Sequence, residues 1–339
     1  MTAPVSIVIP AFNQLDYCRQ CLQTLLMHTP QPYKLILVDN GSTDGVGEFF
    51  DAIPGATVLH AGKNLGFAGG VNLGMRHAEG HVLLLNSDTL LPRGWLERLL
   101  EALHAEPGIG MTGPMSNCVS GSQLIEGLEF ASIENITAYA DQLAQTKGNA
   151  VRDVARLVGF CLLIHEDAFR TVGFFDESYG VGNFEDDDYC LRTLRAGYRL
   201  CVAEGAFVFH YGSRTFMGMG LVDDEWKRLI ARNATLFEEK WNATNEERSD
   251  AVQQSRQWTR RAREALESGR FHDALECYKN AIQAAPALEV NHNDLGVALW
   301  RLGDRKRAVI CFKRALQYNP DYAEARQNLE LAQQSSEDN

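Results

Sequence analysis

The sequence predicts a Rossmann-like α/β domain followed by an all-α module of helical hairpins. Three observations lead there. Short continuous apolar runs alternate with stretches of helical periodicity through the first part of the chain. Each of those runs ends in a polar cluster. Past a charged link at Asn245 to Asp250 the pattern turns wholly helical, with an internal repeat.

Val5 to Ile9 is an apolar run stopped by Pro10 and reads as the first strand. Gln14 to His28 spaces Leu15, Cys18, Leu22, Leu25 and Leu26 along one helical face. Leu35 to Val38 and Thr57 to Leu59 are the next strands, Phe67 to Ala78 a helix, Val82 to Leu85 a fourth strand, and Trp95 to His104 another helix. Continuous apolar strands separated by helices imply a parallel sheet covered on both faces. Ligands of such sheets bind beyond the carboxyl ends of the strands. The residues there are polar: Pro10 to Asn13, Asp39 to Asp44, Asn64 to Gly70 and Asn86 to Thr89.

In the second part, Ala274, Tyr278, Ala281 and Pro286 recur as Ala308, Phe312, Ala315 and Pro320, each 34 residues on. That is the tetratricopeptide (TPR) period. Trp258 and Ala262 complete the first repeat, Gly296 opens the equivalent turn of the second, and Ala323 to Gln333 reads as a capping helix. The expected domains are residues 1–250 and 251–339.

Composition narrows the function. The 339 residues carry a formal net charge of -12, and a nucleic-acid binder needs a basic face instead. No apolar run approaches the roughly 18 residues of a membrane span, and the N-terminus lacks a signal-peptide pattern. The eight scattered cysteines suit a reducing compartment, so a cytoplasmic location is expected. For the lone pair Cys18 and Cys21, core packing is the better reading than metal or redox work.

Four places carry candidate chemistry. Asp88 follows a strand, where a carboxylate can anchor Mg2+ or Mn2+; it can equally cap a helix starting near Pro92. Asp39 can accept hydrogen bonds from a base or ribose, while Ser42 and Asp44 suit capping of the following helix. Glu185 to Asp188 form an acidic run, with Asp188 placed as an N-cap; a partly desolvated carboxylate in it can act as a general base. His210 follows a further strand, where packing competes with metal ligation.

Together these stretches resemble the inverting family-2 glycosyltransferases of the GT-A fold, over roughly Val5 to Trp241. The matching segments are Ser6 to Asn13, Val38 to Asp44, Asn64 to Phe67, Asn86 to Thr89, Gly173 to Glu177 and Glu185 to Asp188, in the family's order. The resemblance implies a nucleotide-sugar donor, a UDP- or dTDP-sugar, and Mn2+ or Mg2+. It implies that Pro10, Phe12 and Asn13 line a base pocket and that Asp39 contacts base or ribose. Asn64 and Gly69 would border the ribose and diphosphate, beside Asn86 and Ser87. Asp88 matches the last acid of the family's metal motif, whose first acid is replaced by Asn86 here. Asp186, in the Glu185–Asp186 motif, matches the catalytic base, and His210 sits where some relatives place a metal ligand.

The loops Ser116 to Gln123 and Gly212 to Leu221 are expected to face the acceptor. A transferase fused to TPR repeats resembles bacterial enzymes that glycosylate proteins such as flagellin, which implies a protein or peptide acceptor. The alternatives are a TPR scaffold that senses nucleotide-sugar, and a transferase acting on polysaccharide or lipid-linked glycan.

Overall fold

A computed structural model describes residues 4–30, 32–212, 223–242 and 249–334. It divides into two compact units, Met1–Thr244 and Asn245–Asn339. In the first unit the elements are β1 (Val5–Ala11), α1 (Leu15–His28), β2 (Lys34–Asp39), α2 (Val46–Asp51), β3 (Thr57–His60), α3 (Gly66–Met75), β4 (His81–Leu85), β5 (Thr89–Leu90) and α4 (Trp95–Leu103). There follow β6 (Ile109–Met115), α5 (Ile133–Lys147), β7 (Val151–Val154), β8 (Cys161–Ile164), α6 (Glu166–Val172), α7 (Glu185–Arg195), β9 (Arg199–Phe207), β10 (Phe209–His210) and α8 (Asp223–Trp241).

The main sheet has the order β3-β2-β1-β4-β8-β6-β9-β7. Its first four strands are parallel, as the continuous apolar runs imply. The remainder corrects the expectation of an all-parallel sheet: β8 runs antiparallel to both neighbours, and β7 antiparallel to β9. The consequence is local and important. A reversed strand brings its entry loop, not its exit loop, to the edge where the parallel strands end.

Both faces of the sheet are covered. Ile7 and Ile9 of β1 pack with Leu22 and Leu25 of α1 and with Trp95 of α4. Val8, between them, points to the other face and packs with Val71 and Met75 of α3. Cys18 and Cys21 are buried free thiols, each pushed up to about 12 by burial, so they fill the α1 interface as apolar groups.

Two capping expectations change. Asp44 and Ser42 serve the start of α1 rather than the helix that follows them: Leu15 N–H donates to Asp44 Oδ2 at 3.0 Å, and Asn13 N–H to Ser42 Oγ at 2.9 Å. Asp188 is no N-cap, because α7 already begins at Glu185. Its carboxylate is fully buried and accepts from Arg192 Nε (2.8 Å), Lys240 Nζ (2.6 Å) and Trp241 Nε1 (2.7 Å), which ties α8 to α7.

The second unit is helical: α9 (Asp250–Glu267), α10 (Phe271–Ala284), α11 (Glu289–Arg301), α12 (Arg305–Tyr318) and α13 (Ala323–Gln334). The six small and aromatic positions of the 34-residue repeat are all buried: Ala274, Tyr278, Ala281, Ala308, Phe312 and Ala315. Gly296 lies within α11, not in a turn. A Cβ there would meet the Phe312 ring at 2.6 Å, so the position is glycine because an aromatic side chain packs against the helix backbone. Among the described residues, no helix is long and apolar enough to cross a membrane.

Candidate active site

A cavity of about 410 Å³ opens at the sheet edge where β1, β2 and β4 end. Pro10 and Phe12 enter it from β1, Asn40 from β2, and Asn86, Ser87 and Asp88 from β4. Because β8 is reversed, its entry loop supplies Arg156, Gly159 and Phe160 to the same cavity. The start of α7 adds Glu185 and Asp186, and β10 adds His210.

Asp88 and His210 are brought together by a small ribbon. β5 pairs antiparallel with β10, placing His210 opposite Thr89. His210 Nε2 lies 3.2 Å from Asp88 Oδ1, and both residues are buried. His210 Nδ1 faces the carbonyl of Cys118 at 2.8 Å. A carbonyl only accepts, so Nδ1 carries a proton, and Nε2 is the ring atom turned toward the carboxylate, with a lone pair to offer whenever the ring is neutral. Phe160 stacks on the ring at 5.1 Å and holds its plane. In the neutral form of the ring, the Nε2 lone pair and the carboxylate oxygen are two acceptors at a separation that suits a shared cation. Adjacent ligands of an octahedral ion at 2.0–2.1 Å lie about 3 Å apart. The donor set, one carboxylate and one imidazole, therefore fits a divalent ion.

The acidic turn is shaped by strain. Asn183 and Phe184 both have positive φ, 72° and 74°, immediately before Glu185. Two consecutive non-glycine residues in that region are costly and persist only when their surroundings hold them. Here the fully buried Asn233 of α8 does so: its side-chain amide donates to the carbonyls of Tyr179 (2.8 Å), Gly182 (2.9 Å) and Asn183 (3.0 Å). Asp186 is fixed in turn, with Oδ2 accepting from Gly159 N–H at 3.0 Å and Oδ1 from Asp187 N–H at 2.9 Å. Arg156 reaches Asp187 at 2.8 Å and lies 3.9 Å from Asp186. Burial, reinforced by the neighbouring Asp186, pushes Glu185 well above the usual carboxylate range.

Other expected residues lie elsewhere. Asn13, Asp39, Asn64 and Gly69 are not among the cavity walls. Asp39 points away and accepts from Ser42 N–H at 2.8 Å, with its Oδ2 3.1 Å from His60 Nδ1. Hydrogen bonds to Asp39 and then Asp51 raise the His60 pKa. Asn13 receives the Thr43 amide, and Asn64 receives the Gly66 amide. A Cβ on Gly69 would meet Leu65 Cβ at 2.7 Å, so glycine there lets α3 pack on its own entry turn. It is Asn40, next to Asp39, that reaches the cavity, as strand alternation demands. In the acceptor-facing loops, Cys118, Val119, Ser120 and Gly212 line the cavity; residues 213–221 lie outside the described residues.

A family model described as glycosyl transferase family 2 matches residues 6–171, and a tetratricopeptide-repeat model matches residues 291–322. The chain is 28% identical over 240 residues to an N-acetylglucosaminyl-diphospho-decaprenol L-rhamnosyltransferase of Mycobacterium tuberculosis, covering 62% of this chain and 77% of the relative. It is 30% identical over 217 residues to an uncharacterized protein of Mycobacterium bovis, covering 62% and 74%. Among solved structures it is similar to a mannosyltransferase from Pyrobaculum calidifontis in complex with GDP-Man and Mn2+, with TM-score 0.52 and 16% identity, over 98% of this chain and 84% of that one. It is also similar to GalNAc-T7 with UDP, GalNAc and Mn2+, with TM-score 0.54 and 14% identity, over 76% and 51%. At these identities the structural likeness is one of fold.

Proposed function

The chain belongs to glycosyl transferase family 2 and is a glycosyltransferase of GT-A fold carrying a tetratricopeptide module; from that premise we propose that it moves a sugar, with inversion, from a nucleoside-diphosphate donor to a protein or peptide acceptor. The observation that carries the transfer reading is that the buried Asp88–His210 pair and the anchored Asp186 carboxylate line one cavity.

Pro10, Phe12, Asn40, Asn86 and Ser87 form the donor side in this reading. Asp88 and His210 would hold Mn2+ or Mg2+, which would neutralise charge on the diphosphate. Asn64 acts one step back by accepting from the Asn40 amide, while Asp39 and Asn13 fix the turn after β2 by accepting from the Ser42 and Thr43 amides. Asp186 is the general base. It takes the proton of the acceptor nucleophile as that atom bonds to the anomeric carbon and the carbon–oxygen bond to the diphosphate breaks on the opposite side. Its two backbone contacts fix the carboxylate plane while leaving lone pairs for the acceptor. Burial pushes Glu185 well above the usual carboxylate range and so disfavours its ionised, proton-accepting form. Asp88→Ala is expected to abolish the Mn2+-dependent part of UDP or dTDP binding in calorimetry; an unchanged titration would remove Asp88 from the donor site.

The peptide reading of the acceptor rests on the second unit, since stacked hairpins of this kind expose surfaces that bind protein segments. A second reading, a lipid-linked glycan acceptor, is favoured by the diphospho-decaprenol named for the mycobacterial relative. Labelled sugar offered with a cell extract separates them. Label in protease-sensitive, acid-precipitable material supports the peptide; label confined to the organic-solvent extract overturns it in favour of the lipid.

A further inference from the structure

The sheet edge opposite the cavity carries a histidine cluster that glycosyl transfer does not use. Antiparallel pairing of β4 with β8, with Val82 opposite Ile164, sets His81 at the entry of one strand beside His165 at the exit of the other. His104, which closes α4, completes the group. Ring centroids lie 4.7 Å apart for His81–His165, 5.2 Å for His81–His104 and 6.1 Å for His104–His165. Three imidazoles sharing one tetrahedral ion at nitrogen–metal distances of about 2.0–2.1 Å have ring centres roughly 5 Å apart. The observed spacings bracket that value. One ring nitrogen from each lies within 4.8 Å of the other two, so a modest contraction closes the set.

His81 adds an independent sign. It is 1% exposed, and its Nε2 has no hydrogen-bond partner among the described residues. Buried ring nitrogens are rarely left in that condition. We propose that His81, His104 and His165 form a second metal site, for Zn2+ or an ion with a like preference for imidazole. The length of β4 alone separates it from Asp88 by on the order of 17 Å.

The protons decide which ion fits. His104 Nδ1 donates to the Leu100 carbonyl at 2.8 Å, so its Nε2 lone pair is available. His81 and His165 accept the amides of Glu166 and Asp167 at Nδ1, both at 3.1 Å, so their neutral rings carry the proton on Nε2. Metal uptake moves each of those protons from Nε2 to Nδ1 and releases the two amides, in the first turn of α6, to water or nearby carboxylates. No net charge is lost from the rings. Giving up two backbone contacts lowers the affinity, and a set made of imidazoles alone favours Zn2+ over Mg2+.

The test uses the full chain, stripped with chelator, carrying Asp88→Asn and His210→Asn so that the cavity pair cannot report. Zn2+ calorimetry should show one equivalent bound, and Co2+ should give the visible absorption of a low-coordinate imidazole site. His104 is exposed, and adding His104→Ala should weaken Zn2+ binding at least tenfold while leaving the metal-free circular dichroism spectrum unchanged. No Zn2+ binding by the double variant, or undiminished binding after His104→Ala, overturns the proposal. Neither readout depends on transferase activity.

Discussion

The acidic turn at the start of α7 and the hairpins of the second unit treat buried polar groups in opposite ways. In the turn, two residues sit at positive φ, a buried glutamate is pushed toward its neutral form, and a distant asparagine, Asn233, holds the backbone in place. In the hairpins the buried amide of Asn291 is fully engaged. It donates to Ser255 Oγ at 2.7 Å and to the carbonyls of Ala281 and Ala285, both at 3.2 Å, while Oδ1 accepts from Thr259. The six buried repeat positions of the same unit are simply small or aromatic. Strain and incompletely satisfied acids collect where chemistry is done; satisfied amides and repeated small-to-large packing collect where the structure only has to stack.

Substitutions can break this contrast. Asp186→Asn should carry the largest effect, a loss of about 10²–10⁴-fold in transfer with nucleotide binding retained, since it removes the proton acceptor together with one of the two backbone contacts, which an amide NH2 cannot accept. Asn233→Ala should follow. It frees three carbonyls and costs about 1–3 kcal/mol in denaturant unfolding, and it should lower kcat more than donor affinity, because the turn carrying Asp186 loses its brace. Equal loss of both would make Asn233 a plain stability residue. In the hairpins, Gly296→Val should cost about 1–3 kcal/mol by overpacking against Phe312 and leave donor hydrolysis untouched. A loss of hydrolysis there would erase the distinction between the regions.

The smallest effect depends on pH. An unfolded glutamate titrates near 4.5, and burial places Glu185 well above that in the folded chain. Between the two values the folded state keeps a proton that the unfolded state releases, so stability falls as pH rises. Glu185→Gln should match the parent near pH 4 and exceed it at pH 7, the gap widening by about 1.4 kcal/mol per pH unit within the window. Parallel stability curves for the two proteins would show that Glu185 is not held neutral.

The same contrast governs what could be read from the sequence. The hairpins were legible because a 34-residue period states both the position and the size of each packed side chain; only the role of Gly296 needed the structure, which shows the ring it accommodates. The strands and their polar ends were equally plain. What the sequence could not state was direction. With β8 reversed, Arg156, Gly159 and Phe160 arrive at the cavity from a strand's entry loop, where a parallel sheet offers nothing. Asn233 lies 50 residues or more from the carbonyls it binds and carries no local signal. Asp88 and His210 were visible as separate strand-end residues, but their contact depends on the two-residue ribbon of β5 and β10. The preference for Asn40 over Asp39 as the cavity residue follows from alternation, but β2 is buried on both faces, so its sequence does not state the phase.

The most direct test of the account is a donor screen. Purified protein with Mn2+ or Mg2+ is offered UDP- and dTDP-sugars with a cell-extract acceptor, and released nucleoside diphosphate is measured for the parent and for Asp186→Asn. The account predicts turnover of one donor, abolished by chelator and by Asp186→Asn, with nucleotide binding kept in the variant. Turnover that survives both the chelator and the substitution would contradict it.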